Sequence, residues 1–159
     1  HVSCPAVIAG PNCEISGFEG RSILLSTSLG SGSYRPAQYA AALSEELNAH
    51  LTLLHLAPSV DIGAQEDLVR HHLCNEARAL LPEGMESRRH LKTLVLFGED
   101  SNCIPAIAAR EKADLIVMGV HEGWPVKNRL ADHLPSGVLA NTIREARCPV
   151  LAVRAHFEG

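Results

Sequence analysis

Residues Leu51–Ala57, LTLLHLA, are apolar almost without interruption and stop at Pro58. A strand with one wet face alternates apolar and polar residues, whereas a continuous run is covered on both faces, the situation of a strand inside a parallel sheet. Four further runs of this kind follow the chain: SILLSTS at Ser22–Ser28, LKTLVLFGE at Leu91–Glu99, ADLIVMGV at Ala113–Val120 and CPVLAVRA at Cys148–Ala155. Between them lie segments with helical periodicity. Pro36–His50 places Ala37, Ala40, Ala41, Leu43 and Leu47 on one face, with Glu45 and Glu46 outward. Asp61–Leu81 predicts a second helix marked by Leu68, Leu73, Ala77 and Leu80. Ser101–Lys112 predicts a third, with Pro105 in its first turn, and Ser136–Arg147 a fourth, with Ser136 suited to the N-cap. The order βαβαβαβαβ implies an α/β fold: a doubly wound, five-stranded parallel sheet with helices on both faces. Ligands in such folds bind at the carboxyl ends of the strands.

A chain of 159 residues with 46% hydrophobic, 20% charged and only 4% aromatic residues builds its core from Leu, Val, Ile and Ala. The net charge of −4 and the lack of a basic cluster beyond Arg88-Arg89-His90 argue against a nucleic-acid partner. No apolar run reaches the roughly 18 residues of a membrane span. Five cysteines, Cys4, Cys13, Cys74, Cys103 and Cys148, form no C-x-x-C pair, which favours a reduced, cytoplasmic setting. The start HVSCPAVIAG lacks the basic region of a signal peptide and is read as a cut inside a longer chain. It shares Cys-Pro and a following apolar run with Cys148–Ala155, and the Gly/Pro-bearing segment Gly10–Gly20 separates it from the rest. The expected division is residues 1–20, a strand plus linker, and 21–159, a complete domain.

Other motifs read more plainly. GSGSYR at Gly30–Arg35 lacks the third glycine of a dinucleotide fingerprint. His71 and Cys74 share a helix face without a third ligand, and His121 lacks the second histidine of H-E-x-x-H, so no metal is expected. Asp132, His133 and Ser136 lack the G-x-S-x-G nucleophile elbow. Cys4 and Cys148 read as buried small hydrophobes, and Trp124 as a lid or interface residue in the long loop His121–Pro135.

The blocks ILLSTS, AAALSEELNAHLTLLHLA, ADLIVMGV and GVLANTIREARCPVLAVR resemble the universal stress proteins over Arg21–Arg154. That resemblance implies the Rossmann-like fold shared with the adenine nucleotide alpha hydrolases, and a stress-response role. It also implies either a homodimer through the last strand or a pseudo-dimer of tandem domains. In a tandem, residues 1–20 would carry the last strand of the preceding domain, and Pro5–Ala9 would pair beside Val150–Ala155, within the chain or across a dimer. Members that bind ATP carry an aspartate at the end of strand one and a G-x-x-G-x9-G-S/T loop after strand four, whose backbone N–H groups cradle phosphate. Here Ser28 replaces the aspartate, Gly119 matches the first glycine, Glu122 takes the second with Gly123 one place late, and Ser136-Gly137 reverses the last pair. Glu122 would oppose a triphosphate unless a metal, Lys127 or Arg129 offset it.

Three functions stay open on these residues. The first is a non-catalytic module binding ATP or another adenine nucleotide through Thr27, Ser28, Ala57, Gly98, Gly119, Val120, Ser136 and Gly137. The second is a degenerate module that works through dimerisation or partner contact without a nucleotide. The third, slow ATP hydrolysis, lacks a general base or metal-binding carboxylate at the expected site.

Overall fold

The computed structural model describes residues 4–14, 18–59, 65–85, 90–120 and 137–154. The expectations on Glu122, Gly123, Trp124, Lys127, Arg129, Asp132, His133 and Ser136 lie outside them. Each apolar run becomes a strand: β2 Ser22–Ser26, β3 His50–Ala57, β4 Leu91–Phe97, β5 Leu115–Val120 and β6 Val150–Arg154. These five are parallel neighbours in the order β6-β5-β2-β3-β4. The helices are α1 Tyr34–Leu47, α2 Glu66–Ala79, α3 Ile104–Arg110 and α4 Val138–Glu145.

Successive residues of each strand serve opposite faces, and both faces are covered. Ile23, Leu25, Leu51, Leu53, Val117 and Val153 share a core with Ala37, Ala40 and Ala41 of α1 and Ala77 of α2. Leu24, Leu54, Ile116, Met118 and Val150 form a second core with Ile104, Ile107 and Ala108 of α3. The small alanines let α1 lie close to the sheet. The Asp114 carboxylate accepts the N–H groups of Arg21 (2.8 Å) and Ser22 (3.1 Å), which ties the start of β2 to the start of β5. On the outer edge of β4, Arg70 donates to the Val95 carbonyl and stacks over Phe97 at 4.8 Å. Arg78 donates to the Thr93 hydroxyl at 3.2 Å, so side chains occupy part of the edge that another strand could use.

The sheet has a sixth strand. β1, Ala6–Ile8, pairs antiparallel with β6 in the register Ala6 with Ala152, Val7 with Leu151 and Ile8 with Val150. Of the pairing expected for Pro5–Ala9, the part from Ala6 to Ile8 occurs, within the chain, and extends the five-stranded parallel sheet by one antiparallel strand. It also occupies the outer edge of the last strand, so a homodimer through β6 requires β1 to leave first.

Other local expectations shift. Leu68 points into solvent, 71% exposed, because α2 buries chiefly Ala77 against β3 and β4. The predicted third helix divides into a 3₁₀ turn, Ser101–Cys103, and α3, because the Asp100 side chain accepts the Asn102 N–H at 2.8 Å and starts a tighter turn. The N-cap of α4 is Gly137 at φ +140°, a backbone that side-chain-bearing residues rarely adopt, rather than Ser136. Cys4 is exposed, because β1 sits at a sheet edge, whereas Cys148 is buried.

Burial pushes the Cys148 thiol up to about 11 from an ordinary 9.0. The folded chain therefore holds this proton more tightly than the unfolded chain. The corresponding stability is fully present below pH 9 and is lost as pH rises from 9 to 11. In urea titrations of the reduced protein, the fall in midpoint across that window is expected to be smaller in Cys148→Ala than in the natural chain.

Candidate functional site

β2 and β5 are neighbours whose outgoing connections part company. The chain leaves β2 for α1, on the face of the first core, and leaves β5 for α4, on the face of the second. This is the topological switch point of a doubly wound sheet, and it opens a crevice at the carboxyl ends of the two strands. Ser26 pairs with Met118, so Thr27 and Ser28 emerge beside Gly119 and Val120. Tertiary structure thus brings together four of the eight residues singled out from sequence.

Thr27 is buried and its polar groups already have partners. Its N–H donates to the Leu54 carbonyl (2.9 Å), and its hydroxyl accepts the Leu29 N–H (3.1 Å). Its carbonyl meets Nδ1 of His55 at 2.9 Å. A carbonyl only accepts, so Nδ1 carries the proton in this contact, an assignment that follows from the partner. Thr27 therefore shapes the turn. Ser28, by contrast, is exposed, and among the described residues its hydroxyl makes long contacts, 3.4 Å to the Ser33 hydroxyl and 3.4 Å from the Gly30 N–H. A ligand oxygen can replace such contacts at small cost. Leu29 follows at φ +60°, a left-handed conformation that is uncommon for a side chain of this kind and turns the loop toward α1.

Gly119 completes the other wall. A Cβ here would stand 3.1 Å from Cγ of Pro36, in the first turn of α1, so the bare backbone lets the end of β5 and the start of α1 lie this close. Arg35, one residue earlier, donates from Nη1 to the Arg154 carbonyl at 3.3 Å and ties the start of α1 to the end of β6.

The remaining candidates are dispersed. Ala57 is buried, and its carbonyl accepts the Gly98 N–H at 3.0 Å, closing the ladder between β3 and β4 on the far side of β2. Gly98 itself has φ +71° and lies against Ser59. Gly137 opens α4 without a side-chain cap, and Ser136 lies outside the described residues. His55 was missed by sequence reasoning, although one signal was available: a lone histidine inside an apolar strand needs a buried partner.

Another cavity, of about 540 Å³, opens at the opposite, amino-terminal edge of the sheet and includes His50, His90, Lys92 and Glu111. Lys92 is paired with Glu111 at 2.9 Å, and Arg21, at the same rim, with Glu19 at 3.1 Å. Its charges largely satisfy one another, and parallel sheets present ligands at the other edge. Among the described residues no group of three or more His, Cys, Asp or Glu side chains could hold a metal ion, and no helix is long and apolar enough to cross a membrane.

The universal stress protein family model matches residues 20–154. Among solved structures, the chain is similar to a universal stress protein from Archaeoglobus fulgidus DSM 4304, with TM-score 0.65 and 16% identity, covering 96% of this chain and 51% of that one. It is also similar to the universal stress protein from Archaeoglobus fulgidus in complex with dAMP, with TM-score 0.59, 17% identity and coverage of 84% and 97%. A universal stress protein in complex with cAMP matches with TM-score 0.56, 19% identity and coverage of 86% and 98%. At these identities the likeness to solved structures concerns the fold. No curated protein matches the chain. With its six-stranded, doubly wound sheet and a family match spanning nearly all of it, the chain belongs to the universal stress protein family.

Proposed function

We propose that this domain is a non-catalytic stress-response module that binds an adenine nucleotide in the crevice between β2 and β5. The observation that carries the reading is that the exposed Ser28 leaves the end of β2 beside the Gly119-Val120 end of β5 at the switch point. Two proteins of similar fold were solved with dAMP and with cAMP, which favours adenine as the base. Ser28 supplies a hydroxyl where the ATP-binding members carry a carboxylate, a weaker hydrogen-bonding partner for placing the nucleotide.

A thermal-shift titration with ATP, AMP and cAMP tests this reading. A nucleotide at 100 times its Kd stabilises by about 2.7 kcal/mol, on the order of 5–10 °C for a chain of this size. Gly119→Val is expected to abolish the shift while leaving the melting temperature without nucleotide within a few degrees. No shift with any of the three at millimolar concentration would overturn the proposal and leave the degenerate, partner-binding reading. Nucleotide recovered unhydrolysed after hours supports the non-catalytic part; steady release of phosphate or pyrophosphate would refute it.

A second reading concerns organisation: residues 1–20 are the last strand and linker of a preceding domain, and β1 takes the place that a neighbouring domain's strand would hold. The antiparallel seat of β1 on β6 favours it, as does a similar solved chain of which this one spans 51%. Sequencing the message upstream of residue 1 tests it. A second domain-length reading frame running into Cys4–Ala9 supports it, and a start codon immediately before residue 1 excludes it.

A further inference from the structure

The linker after β1 touches the domain at the peptide group that leads into Cys148. Gly10–Cys13 is a tight turn closed by the Cys13 N–H on the Gly10 carbonyl, 3.1 Å. Asn12 donates from Nδ2 to the Arg144 carbonyl in the last turn of α4, 3.1 Å. The Glu14 N–H then donates to the Arg147 carbonyl at 3.0 Å. This last bond joins two particular peptide groups, the one between Cys13 and Glu14 and the one between Arg147 and Cys148. With standard bond lengths, it holds the Cα atoms of Cys13 and Cys148 within roughly 8 Å of each other. Disulfides span Cα separations of about 4.4–6.8 Å, and the linker side of the pair is a surface turn that can adjust. A second observation agrees. After burial, the next cause that raises the Cys148 thiol is the charge an ionised Cys13 would place near it, so the two sulfurs feel one another.

We propose that Cys13 and Cys148 form a redox-modification site, in which hydrogen peroxide joins them as a disulfide that fastens the linker, and β1 with it, to the corner between α4 and β6. Cys13 is partly exposed and reacts first: its thiolate attacks a peroxide oxygen, giving a sulfenic acid and hydroxide. The Cys148 sulfur then attacks Sγ of Cys13, gives up its proton and expels hydroxide. In total two thiols lose two protons and two electrons, and the peroxide is reduced to two waters. Because the Cys148 thiol is held protonated, its attack is the slow step at neutral pH and quickens as pH rises toward 11. The consequence is conformational: β1, the strand added to the five parallel ones, becomes covalently retained.

The experiment treats the reduced 159-residue chain with a few equivalents of hydrogen peroxide, then alkylates, digests and maps it by mass spectrometry. Expected are a linked Cys13–Cys148 peptide pair, an intact mass lower by two hydrogens and reversal by dithiothreitol. Hydrogen exchange across Ala6–Ile8 should slow by about tenfold or more in the oxidised protein. The exposed linker makes Cys13→Ser a variant that keeps the fold, and it should abolish the link, whereas Cys74→Ser should not. The proposal is overturned if Cys13 proceeds to sulfinic acid, if it pairs with Cys4 or with a second molecule, or if both thiols remain alkylatable throughout.

Discussion

Replacing Leu53 with alanine is expected to destabilise the domain by about 2–5 kcal/mol, and replacing its neighbour Leu54 is expected to do the same. The two side chains are fully buried but point to opposite faces of β3: Leu53 into the core shared with α1 and α2, Leu54 into the core shared with α3. In a sheet with one wet face, one of two consecutive leucines would be nearly neutral to truncation. Here both leave a cavity in close-packed surroundings. The measurement is urea unfolding of each single variant, with thermal unfolding beside it expected to show a drop in melting temperature on the order of 10 °C. A loss below about 0.5 kcal/mol for either residue would contradict the two-layer burial.

Gly10→Val is expected to free β1 from the sheet. A Cβ at Gly10 would lie 1.9 Å from the Ile143 carbonyl oxygen, a backbone atom that cannot swing aside. β1 has only three residues, and Val7 at its centre is 66% exposed, so the strand gains too little from burial to absorb such a clash. Overpacking of this kind costs about 1–3 kcal/mol, and detaching the strand is the cheapest relief. Amides of Ala6–Ile8 should exchange as in an unfolded peptide while those of β2, β3 and β5 keep their protection. The uncovered edge of β6 should then pair with a second copy, seen as a concentration-dependent dimer by sedimentation. Unchanged protection in β1 would show that the Gly10 contact does not hold the strand in place.

Much of the architecture was legible because it is written in local pattern. SILLSTS, LTLLHLA and ADLIVMGV announce strands covered on both faces, and the alanines of Pro36–His50 announce a helix that lies close to a sheet. Leu68 misled, because helical spacing defines a face without saying how much of that face a neighbour covers; α2 buries little beyond Ala77. Of the residues that the resemblance implies for a nucleotide site, Thr27, Ser28, Gly119 and Val120 come together at the carboxyl ends of β2 and β5, while the polar groups of Thr27 are taken up in its own turn and by His55, which no motif marked. Ala57 and Gly98 share the edge but lie across β2 from the crevice.

By itself, then, the sequence determined the order of elements, the parallel sheet and the burial of its two faces, since periodicity and breaker residues act within one element. Tertiary structure alone decided that β1 runs antiparallel along β6, that Thr27 and Ser28 emerge beside Gly119 and Val120, and that the Glu14 N–H meets the Arg147 carbonyl. Those neighbours are 92 to 146 positions apart in the chain, from Thr27 to Gly119 and from Ala6 to Ala152. Strand direction and register result from the packing of the whole sheet; the shared Cys-Pro and apolar run marked β1 and β6 as partners without setting either.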